Sequence, residues 1–276
     1  MANYTAADVK ALREQTGAGM MDVKKALDEA NGDKDKAIEI IRLSGLKSLS
    51  KREGRTASAG LIAGRVVDGT VGVMVEVNSE TDFVAKNDKF IAFANTVLEA
   101  AIASGATDVD ALLAAPAEDA TVSDLVDNMG AVIGEKIMVR RVVRVEGEAV
   151  DLYLHQTSAD LPAQVGVLVA TDKAGAEVAR DVAMHVAAFQ PDYLDRDSVP
   201  ADVLEKERET LTKLTISEGK PEHIAGKIVE GRMGAFYKDN CLVDQDFARD
   251  PSKTVGAVLK EAGAKVTEFV RFQVGA

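Results

Sequence analysis

The sequence predicts an α+β protein in which a small helical unit precedes two repeated α+β subdomains with mainly antiparallel sheet, the second carrying an inserted helical hairpin. Three observations predict this class. The N-terminal residues have helical periodicity and helix caps, the segment VGVMVEVN at Val71–Asn78 recurs as VGVLVATD at Val165–Asp172, and a later segment has the spacing of two facing helices. We expect the units at residues 1–56, 57–146 and 147–276, with the hairpin at 198–237.

The composition narrows the class of protein. With 276 residues and 46% hydrophobic content, the chain can form two or three cores. Its net charge of −12 repels phosphate backbones, so we expect no direct nucleic-acid partner. Cys241 is the single cysteine, which is typical of a reducing compartment, and the N-terminal residues lack a signal-peptide pattern. No apolar run approaches the roughly 18 residues of a membrane span. We therefore expect a soluble cytoplasmic protein without a membrane partner.

The N-terminal residues predict three short helices. Thr5 followed by Asp8 resembles a capping box, and the first helix should end at Gly17-Ala18-Gly19. The second should span Met21–Ala30, and Asp33 should cap the third. A bundle this small should be only marginally stable by itself.

The next segment, Ser44–Gly60, is basic and rich in Ser and Gly. We interpret it as a solvated linker that is helical at its start. A basic contact to an acidic partner is the alternative. The residues concerned are Lys47, Lys51, Arg52 and Arg55.

The repeat organises the remainder of the chain. Asp68-Gly69 is a two-residue hairpin turn between Leu61–Val67 and Thr70–Val77. In each copy the strand of the repeated segment should precede a helix and then a strand that returns after a glycine. The helices are expected at Phe90–Ala103 and Ala176–Phe189, and the returning strands after Gly134 and Gly263. This pattern predicts helices packed on one face of an antiparallel sheet.

The second copy is longer than the first, and the surplus lies at Ser198–Phe236. This segment predicts a protruding antiparallel pair of helices around a turn at residues 218–221. We expect six apolar side chains to face one another across the pair: Leu204, Leu211, Leu214, Ile224, Ile228 and Met233.

Signals for catalysis or metal binding are weak. The histidines are His155, His185 and His223, and none has a Cys or His partner at ligand spacing. We interpret His185 as a satisfied core histidine and His155 as exposed near a strand end. The chain contains neither a G-x-S-x-G nor a P-loop motif. We therefore expect no catalytic chemistry, no metal and no cofactor.

The segment Thr81–Val84 follows the first repeated strand and leaves two interpretations open. Thr81 or Asp82 can cap a helix with Phe83 buried under the sheet. Alternatively, Asp82 and Phe83 form a rigid wedge that inserts into a partner's pocket, with Asn87-Asp88 capping the helix downstream.

Several segments, in the same order along nearly the whole chain, resemble the bacterial translation elongation factor Ts family, the nucleotide exchange factors of elongation factor Tu. These segments are LREQTGAGMMDVKKAL from Leu12, ETDFVAKN from Glu80, IGEKIMVRR from Ile133, VGVLV from Val165, KIVEGRM from Lys227 and PSKTVGAVLKEAGAKVTEFVRFQVG from Pro251. The resemblance implies that the N-terminal helices form a ubiquitin-associated-like domain and that the inserted hairpin is the family's coiled coil.

The resemblance also implies the function and its residues. Such a protein binds GDP-bound elongation factor Tu, displaces Mg²⁺ and promotes GDP release so that GTP can bind. The implied Mg²⁺-displacing wedge is formed by Thr81, Asp82, Phe83 and Val84. The implied partner contacts are Arg13, Met20, Met21, Ile133, Gly134, Glu135, Lys136 and His155.

The chain stops after its last predicted strand, so we expect it to lack the helical C-terminal module of longer members. The sequence leaves open whether the complex with the partner forms a dimer. The alternative function is a non-exchanging adaptor or chaperone-like module that binds a GTPase without releasing its nucleotide.

Overall fold

The computed structural model describes residues 3–47 and 52–276 and confirms the predicted α+β class. The N-terminal helices are α1 (Ala6–Thr16), α2 (Met20–Glu29) and α3 (Lys34–Lys47). Thr5 and Asp8 form a reciprocal capping box, in which the Asp8 amide donates to the Thr5 hydroxyl (3.2 Å) and the Thr5 amide donates to the Asp8 carboxylate (2.8 Å). Helix α1 ends at Gly17, whose φ of 81° is left-handed, as predicted.

The first repeat contains a sheet in the order β1-β2-β5, with both pairs antiparallel. Its elements are β1 (Ala59–Val67), β2 (Val71–Ser79), α4 (Asp82–Ala85), α5 (Asp88–Ser104), α6 (Val109–Ala114), β3 (Pro116–Ala117), β4 (Ala120–Thr121), α7 (Val122–Ile133) and β5 (Met138–Glu146). The predicted hairpin turn is present, since Asp68 and Gly69 have φ of 51° and 72°.

The second repeat has the same succession of hairpin, helix and returning strand, in a sheet of order β10-β7-β6. Its elements are β6 (Ala149–His155), β7 (Val165–Thr171), a 3₁₀ helix at Lys173–Glu177, α8 (Ala179–Phe189), a 3₁₀ helix at Arg196–Ser198, α9 (Ala201–Ser217), α10 (Glu222–Asn240), a 3₁₀ helix at Leu242–Asp244, β8 (Asp246–Phe247), β9 (Asp250–Thr254), α11 (Val255–Glu261) and β10 (Val266–Gln273).

The two sheets pack face to face through reciprocal glycines. A Cβ atom at Gly72 of β2 would lie 2.4 Å from the Leu168 side chain, and one at Gly166 of β7 would lie 2.5 Å from the Met74 sulfur. Gly72 and Gly166 occupy the same position in the two copies, as do Met74 and Leu168. Each sheet therefore inserts one large side chain above the other sheet's glycine, which gives the interface a local pseudo-twofold character.

The opposite face of the first sheet is covered by helices. Val73, Val75 and Val77 point away from the second sheet and pack with Phe90 and Val97 of α5 in the core of the first repeat. Strand β2 is thus buried on both faces, which explains why its sequence is apolar almost throughout.

A buried ion pair lies in β2 and β5. Glu76 is fully buried, and its carboxylate accepts from the Arg141 guanidinium at 2.6 Å and from the Asn78 amide at 3.1 Å. Arg141 also donates to the Gln273 carbonyl at 2.8 Å, and the Gly275 amide lies 3.4 Å from Glu76. The pair therefore links the first sheet to the end of β10.

The inserted segment forms the predicted helix pair, α9 and α10, but its inward face differs from the predicted one. Met233 is buried as expected, whereas Leu214 and Ile224 are exposed. Other residues take the inward positions instead, since Ala225, Val229 and Thr215 are buried. Arg232 joins the pair near the turn, since its guanidinium donates to the Thr215 hydroxyl (3.2 Å) and to Glu218 (2.6 Å).

The basic segment Ser44–Gly60 begins within the last turn of α3, so it is helical at its start, as predicted, but its described arginines have partners in the protein. Arg52 donates to the Gly130 carbonyl of α7 at 2.8 Å, and Arg55 donates to Glu80 at 3.2 Å. The interpretation as a solvated linker is incomplete for these two residues: Arg55 is exposed, yet each arginine has an acceptor on the first repeat. Lys51 and the side chain of Lys47 lie outside the described residues. The predicted domain limits and the ubiquitin-associated-like character of the helices stay predictions.

Substituting Gly72 tests the close contact between the sheets. We expect Gly72→Ala to lower the free energy of unfolding by about 1–3 kcal/mol, because the new methyl group overlaps Leu168 in a packed interior. Gly234→Ala in α10 is the matched control, since a Cβ there meets no atom within 4 Å and alanine favours helix. Urea unfolding of both variants is the measurement. A Gly72→Ala variant as stable as the unaltered chain would contradict the packing.

Candidate partner-binding site

The residues that follow β2 form a tight turn, the β2–α5 turn (Glu80–Lys86). It contains the one-turn helix α4, which leads directly to α5. Asn87 caps α5, because its side chain accepts from the Lys89 amide at 2.9 Å, as predicted. Phe83 has 74% of its surface exposed, so the interpretation that buries it under the sheet is wrong. Asp82 is exposed beside it, and Val84 is half-buried against the core.

Glu135 holds the start of this turn. Thr81 occupies the N-cap position of α4, but its hydroxyl donates to Glu135 Oε1 at 2.7 Å instead of accepting from the helix. The other carboxylate oxygen, Oε2, accepts from the amides of Glu80 (3.1 Å) and Thr81 (3.0 Å). The predicted cap from the Thr81 side chain is therefore absent, and Glu135, in the turn after α7, holds the N-cap residue itself.

Glu80, the first residue of the turn, in return accepts hydrogen bonds from residues outside the turn. Its Oε1 accepts from the Lys136 amide at 2.6 Å and from the Arg55 guanidinium at 3.2 Å. The Lys136 ammonium donates to the Glu53 carbonyl at 2.5 Å. The β2–α5 turn, the start of β5 and the segment before β1 are therefore connected by charge-assisted hydrogen bonds, which are among the stronger kind.

Phe83 has a cation on one side. The Lys86 ammonium lies 4.9 Å from the centroid of the Phe83 ring and 3.5 Å from the Asp160 carboxylate. Asp160 belongs to the loop between β6 and β7, so the second repeat contributes to the surroundings of the exposed ring. A cation over an exposed ring contributes about 0.5–1 kcal/mol, which limits its rotation only weakly.

The predicted N-terminal contacts form a separate apolar surface. Met20 and Met21 are 58% and 74% exposed at the start of α2, and Arg13 is exposed on α1. Together with Tyr4 and Val9 they line an open concavity of about 490 Å³. Exposed methionines are adaptable contact residues, because the side chain is flexible and polarizable.

The other predicted contact residues lie at the end of α7 and at the end of β6. Ile133 ends α7, and its side chain lies 3.8 Å from the position that a Cβ atom at Gly17 would take, beside the turn between α1 and α2. Gly134 has a φ of 87°, which terminates α7. His155 is exposed at the end of β6, with its Nδ1 3.1 Å from the Tyr153 hydroxyl.

Within the described residues, no group of three or more His, Cys, Asp or Glu side chains is arranged to hold a metal ion.

The interpretation of His185 as a satisfied core residue is confirmed, since its Nε2 donates to Gln245 at 2.9 Å and its Nδ1 accepts from the Ala248 amide at 3.1 Å. Burial raises the pKa of the Cys241 thiol to about 11, so this cysteine is unreactive near neutral pH. The side chain of His223 lies outside what the structure describes.

Sequence reasoning missed the residues that hold the β2–α5 turn or lie beside its ring: Glu80, Arg55, Lys86 and Asp160. The adjacency of Glu80 and Lys86 to Thr81–Val84 was the available signal for two of them. Arg55 and Asp160 gave none, because they are distant in sequence and approach only through the fold.

None of the described helices is long and apolar enough to cross a membrane.

The site consists of raised turns and exposed side chains rather than an enclosed cleft, which is typical of proteins that act by contacting another macromolecule. A family model described as Elongation factor TS matches residues 80–276. Relatives named Elongation factor Ts match over 100% of both chains: those of Beutenbergia cavernae (59% identical), Micrococcus luteus (61%) and Paenarthrobacter aurescens (60%). The chain therefore belongs to the elongation factor Ts family of translation elongation factors.

His185 predicts a pH dependence of stability. Burial lowers its pKa from the ordinary value of 6.5, although the hydrogen bond to Gln245 acts in the opposite direction. Below pH 6.5 the unfolded chain therefore binds a proton that the folded chain does not, and stability falls by at most about 1.4 kcal/mol per pH unit until the folded pKa is reached. We expect His185→Gln to show a shallower loss than the unaltered chain in urea unfolding across this range. Equal slopes would contradict this account.

Proposed function

We propose that this protein is a guanine nucleotide exchange factor: it binds GDP-bound elongation factor Tu, displaces Mg²⁺ and promotes GDP release so that GTP can bind. The observation that carries the proposal is the exposed Phe83 on a turn fixed by Glu135. Membership of the elongation factor Ts family supports it. A turn whose backbone is already fixed loses little backbone entropy when its aromatic ring inserts, so more of the free energy of burying the ring is available to displace groups of the partner.

The mechanism follows from the chemistry of Mg²⁺. This ion requires near-ideal octahedral geometry with oxygen ligands at about 2.0–2.1 Å, so small displacements of its ligands are costly. A wedge of Thr81, Asp82, Phe83 and Val84 that moves a helix of the partner by about one ångström would weaken the ion's binding. The diphosphate charge is then less well compensated, and GDP leaves faster.

Linkage makes the effect reciprocal. The factor weakens nucleotide binding by the same ratio as the nucleotide weakens factor binding, so GTP can displace the factor. No bond is made or broken in this step, and the chain acts as an exchange factor rather than as an enzyme with its own catalytic chemistry. It needs no cofactor, and its partner is a protein rather than a nucleic acid.

The remaining contacts would provide affinity. We infer that Arg13, Met20 and Met21 contact the partner's GTPase domain, that Ile133–Lys136 lies beside the wedge in the complex, and that His155 faces the partner's third domain. The exposed methionines of α2 support the first of these inferences. We further propose that the units 1–56, 57–146 and 147–276 act as domains, that the protein works in the cytoplasm, and that a dimer of the complex is one arrangement to test.

Removing the ring tests the wedge. We expect Phe83→Ala to slow GDP release from elongation factor Tu by roughly 30-fold at saturating factor, because an aromatic hot spot contributes about 2 kcal/mol. Stopped-flow release of a fluorescent GDP is the measurement. Folding should be unaffected, since 74% of the Phe83 surface is exposed.

Phe189→Ala is the matched control, because Phe189 is also exposed but lies at the end of α8 in the second repeat. It should leave the release rate unchanged. An unchanged rate for Phe83→Ala would refute the wedge. If the unaltered chain binds elongation factor Tu without accelerating release at all, the adaptor interpretation replaces the exchange function.

The N-terminal surface should affect affinity rather than maximal rate. Met21→Ala removes an exposed side chain of α2 that is not part of the wedge, so it should weaken binding before and after GDP leaves by the same amount. We expect a several-fold higher half-saturating concentration of factor, with the maximal release rate within about twofold of the unaltered chain. A reduced maximal rate at saturation would show that this surface takes part in nucleotide release itself.

A further inference from the structure

The Glu135 carboxylate points into the protein rather than toward a partner. Its two oxygens accept three hydrogen bonds, from the Thr81 hydroxyl at 2.7 Å and from the amides of Thr81 (3.0 Å) and Glu80 (3.1 Å). All three donors belong to the turn that presents Phe83. A direct partner contact, the role implied for Glu135 by family resemblance, would have to compete with these bonds.

Helix α4 begins at a residue that is held from outside the helix. It has only four residues, too few for an isolated helix to be stable. Its N-cap residue, Thr81, makes no side-chain hydrogen bond to the helix. Glu135 fixes the amide and the hydroxyl of Thr81 from a position 54 residues away in the chain and adds negative charge near the N-terminus of the helix. The orientation of Phe83, two residues further on, is therefore tied to Glu135.

Comparing the two repeats distinguishes the contacts that both copies share from the contacts that only the first copy makes. In the first repeat the Lys136 amide donates to Glu80 (2.6 Å), and in the second the equivalent Lys265 amide donates to Asp172 (3.1 Å). This backbone contact is common to both copies and belongs to the fold. The residue equivalent to Glu135 is Ala264, so the second copy folds without that carboxylate.

We propose that Glu135 is a positioning residue for the wedge, acting through Thr81 to hold Phe83 in the orientation that enters the partner. This inference rests on the proposed exchange function. Without the carboxylate, the Glu80 and Thr81 amides and the Thr81 hydroxyl lose their acceptor, and the turn samples conformations in which the ring does not fit the partner's gap. Glu135 thus determines how fast elongation factor Tu releases GDP once the factor is bound. It contributes little to how tightly the factor binds.

The test compares Glu135→Ala with the unaltered chain in stopped-flow release of a fluorescent GDP from elongation factor Tu, over a range of factor concentrations. We expect the maximal rate to fall about tenfold, the typical effect of losing a hydrogen bond to a charged group. The half-saturating concentration should stay within about twofold. Glu177→Ala, an exposed glutamate in the 3₁₀ helix after β7, is the control and should change neither quantity.

A double-mutant cycle distinguishes positioning from direct contact. If Glu135 acts through the ring, Glu135→Ala has no further effect in a Phe83→Ala background. A direct contact would produce the same loss in both backgrounds and would overturn the inference. Thr81→Val should resemble Glu135→Ala, and Thr81→Ser, which keeps the hydroxyl, should restore the rate toward the unaltered value.

Global destabilisation is checked by the melting temperature of each variant. A maximal rate that falls while the melting temperature stays unchanged supports positioning. A rate that falls only in proportion to lost folded protein overturns it. If the unaltered chain and Phe83→Ala differ as expected but Glu135→Ala releases GDP at the full rate, the positioning role is wrong and the exchange function stands. If the unaltered chain does not accelerate release, both are wrong.

Discussion

The face-to-face contact of the two sheets through Gly72 and Gly166 is the constraint on which the remaining architecture depends. Because each glycine accommodates a large side chain from the opposite sheet, the central strands β2 and β7 are buried on that face. Helices must then cover the outer faces, and only the strand ends remain for exposed turns. Antiparallel pairing of Asn78 with Met138 brings the end of β2 beside the start of β5. This pairing places Glu80 next to Glu135 and Lys136, although more than fifty residues separate them in the chain.

The Glu76–Arg141 pair shows how a charged carboxylate is accommodated between the two sheets. A buried carboxylate is costly unless it is paired and its remaining oxygens are hydrogen-bonded. Here Arg141 and Asn78 both donate to it, and the guanidinium also lies 4.4 Å from the centroid of the Phe272 ring. Because Arg141 donates to the Gln273 carbonyl as well, the pair fixes how the end of β10 meets the first sheet. We regard it as a device that specifies this arrangement rather than as a large net source of stability.

Much of the fold could be predicted from the sequence because its signals are local. The capping box at Thr5, the turn at Asp68-Gly69 and the repeated strand each occupy a few adjacent residues. The inward face of α9 and α10 was partly wrong because apolar character alone does not identify it: Leu214 is exposed where Thr215 is buried with Arg232 bonded to it. Contacts between distant charged groups, such as Arg55 with Glu80, depend on the assembled fold and leave no pattern in the chain.

Residue type alone left both a buried and an exposed Phe83 open, for a related reason: an aromatic side chain favours burial, and the path of the backbone decides otherwise. The family resemblance implied the exposed interpretation, and the ring is exposed. In the second copy, Asp172 both caps the 3₁₀ helix at the Gly175 amide and holds the Lys265 amide, so the chain turns at once. In the first copy, the residue equivalent to Asp172 is Asn78, and the corresponding contact is made by Glu80, two residues later. The chain therefore extends further from the sheet before it turns. The acidic residue that makes this contact thus lies two positions later in the first copy, and Glu135, which the second copy lacks, holds the lengthened turn that presents the aromatic ring.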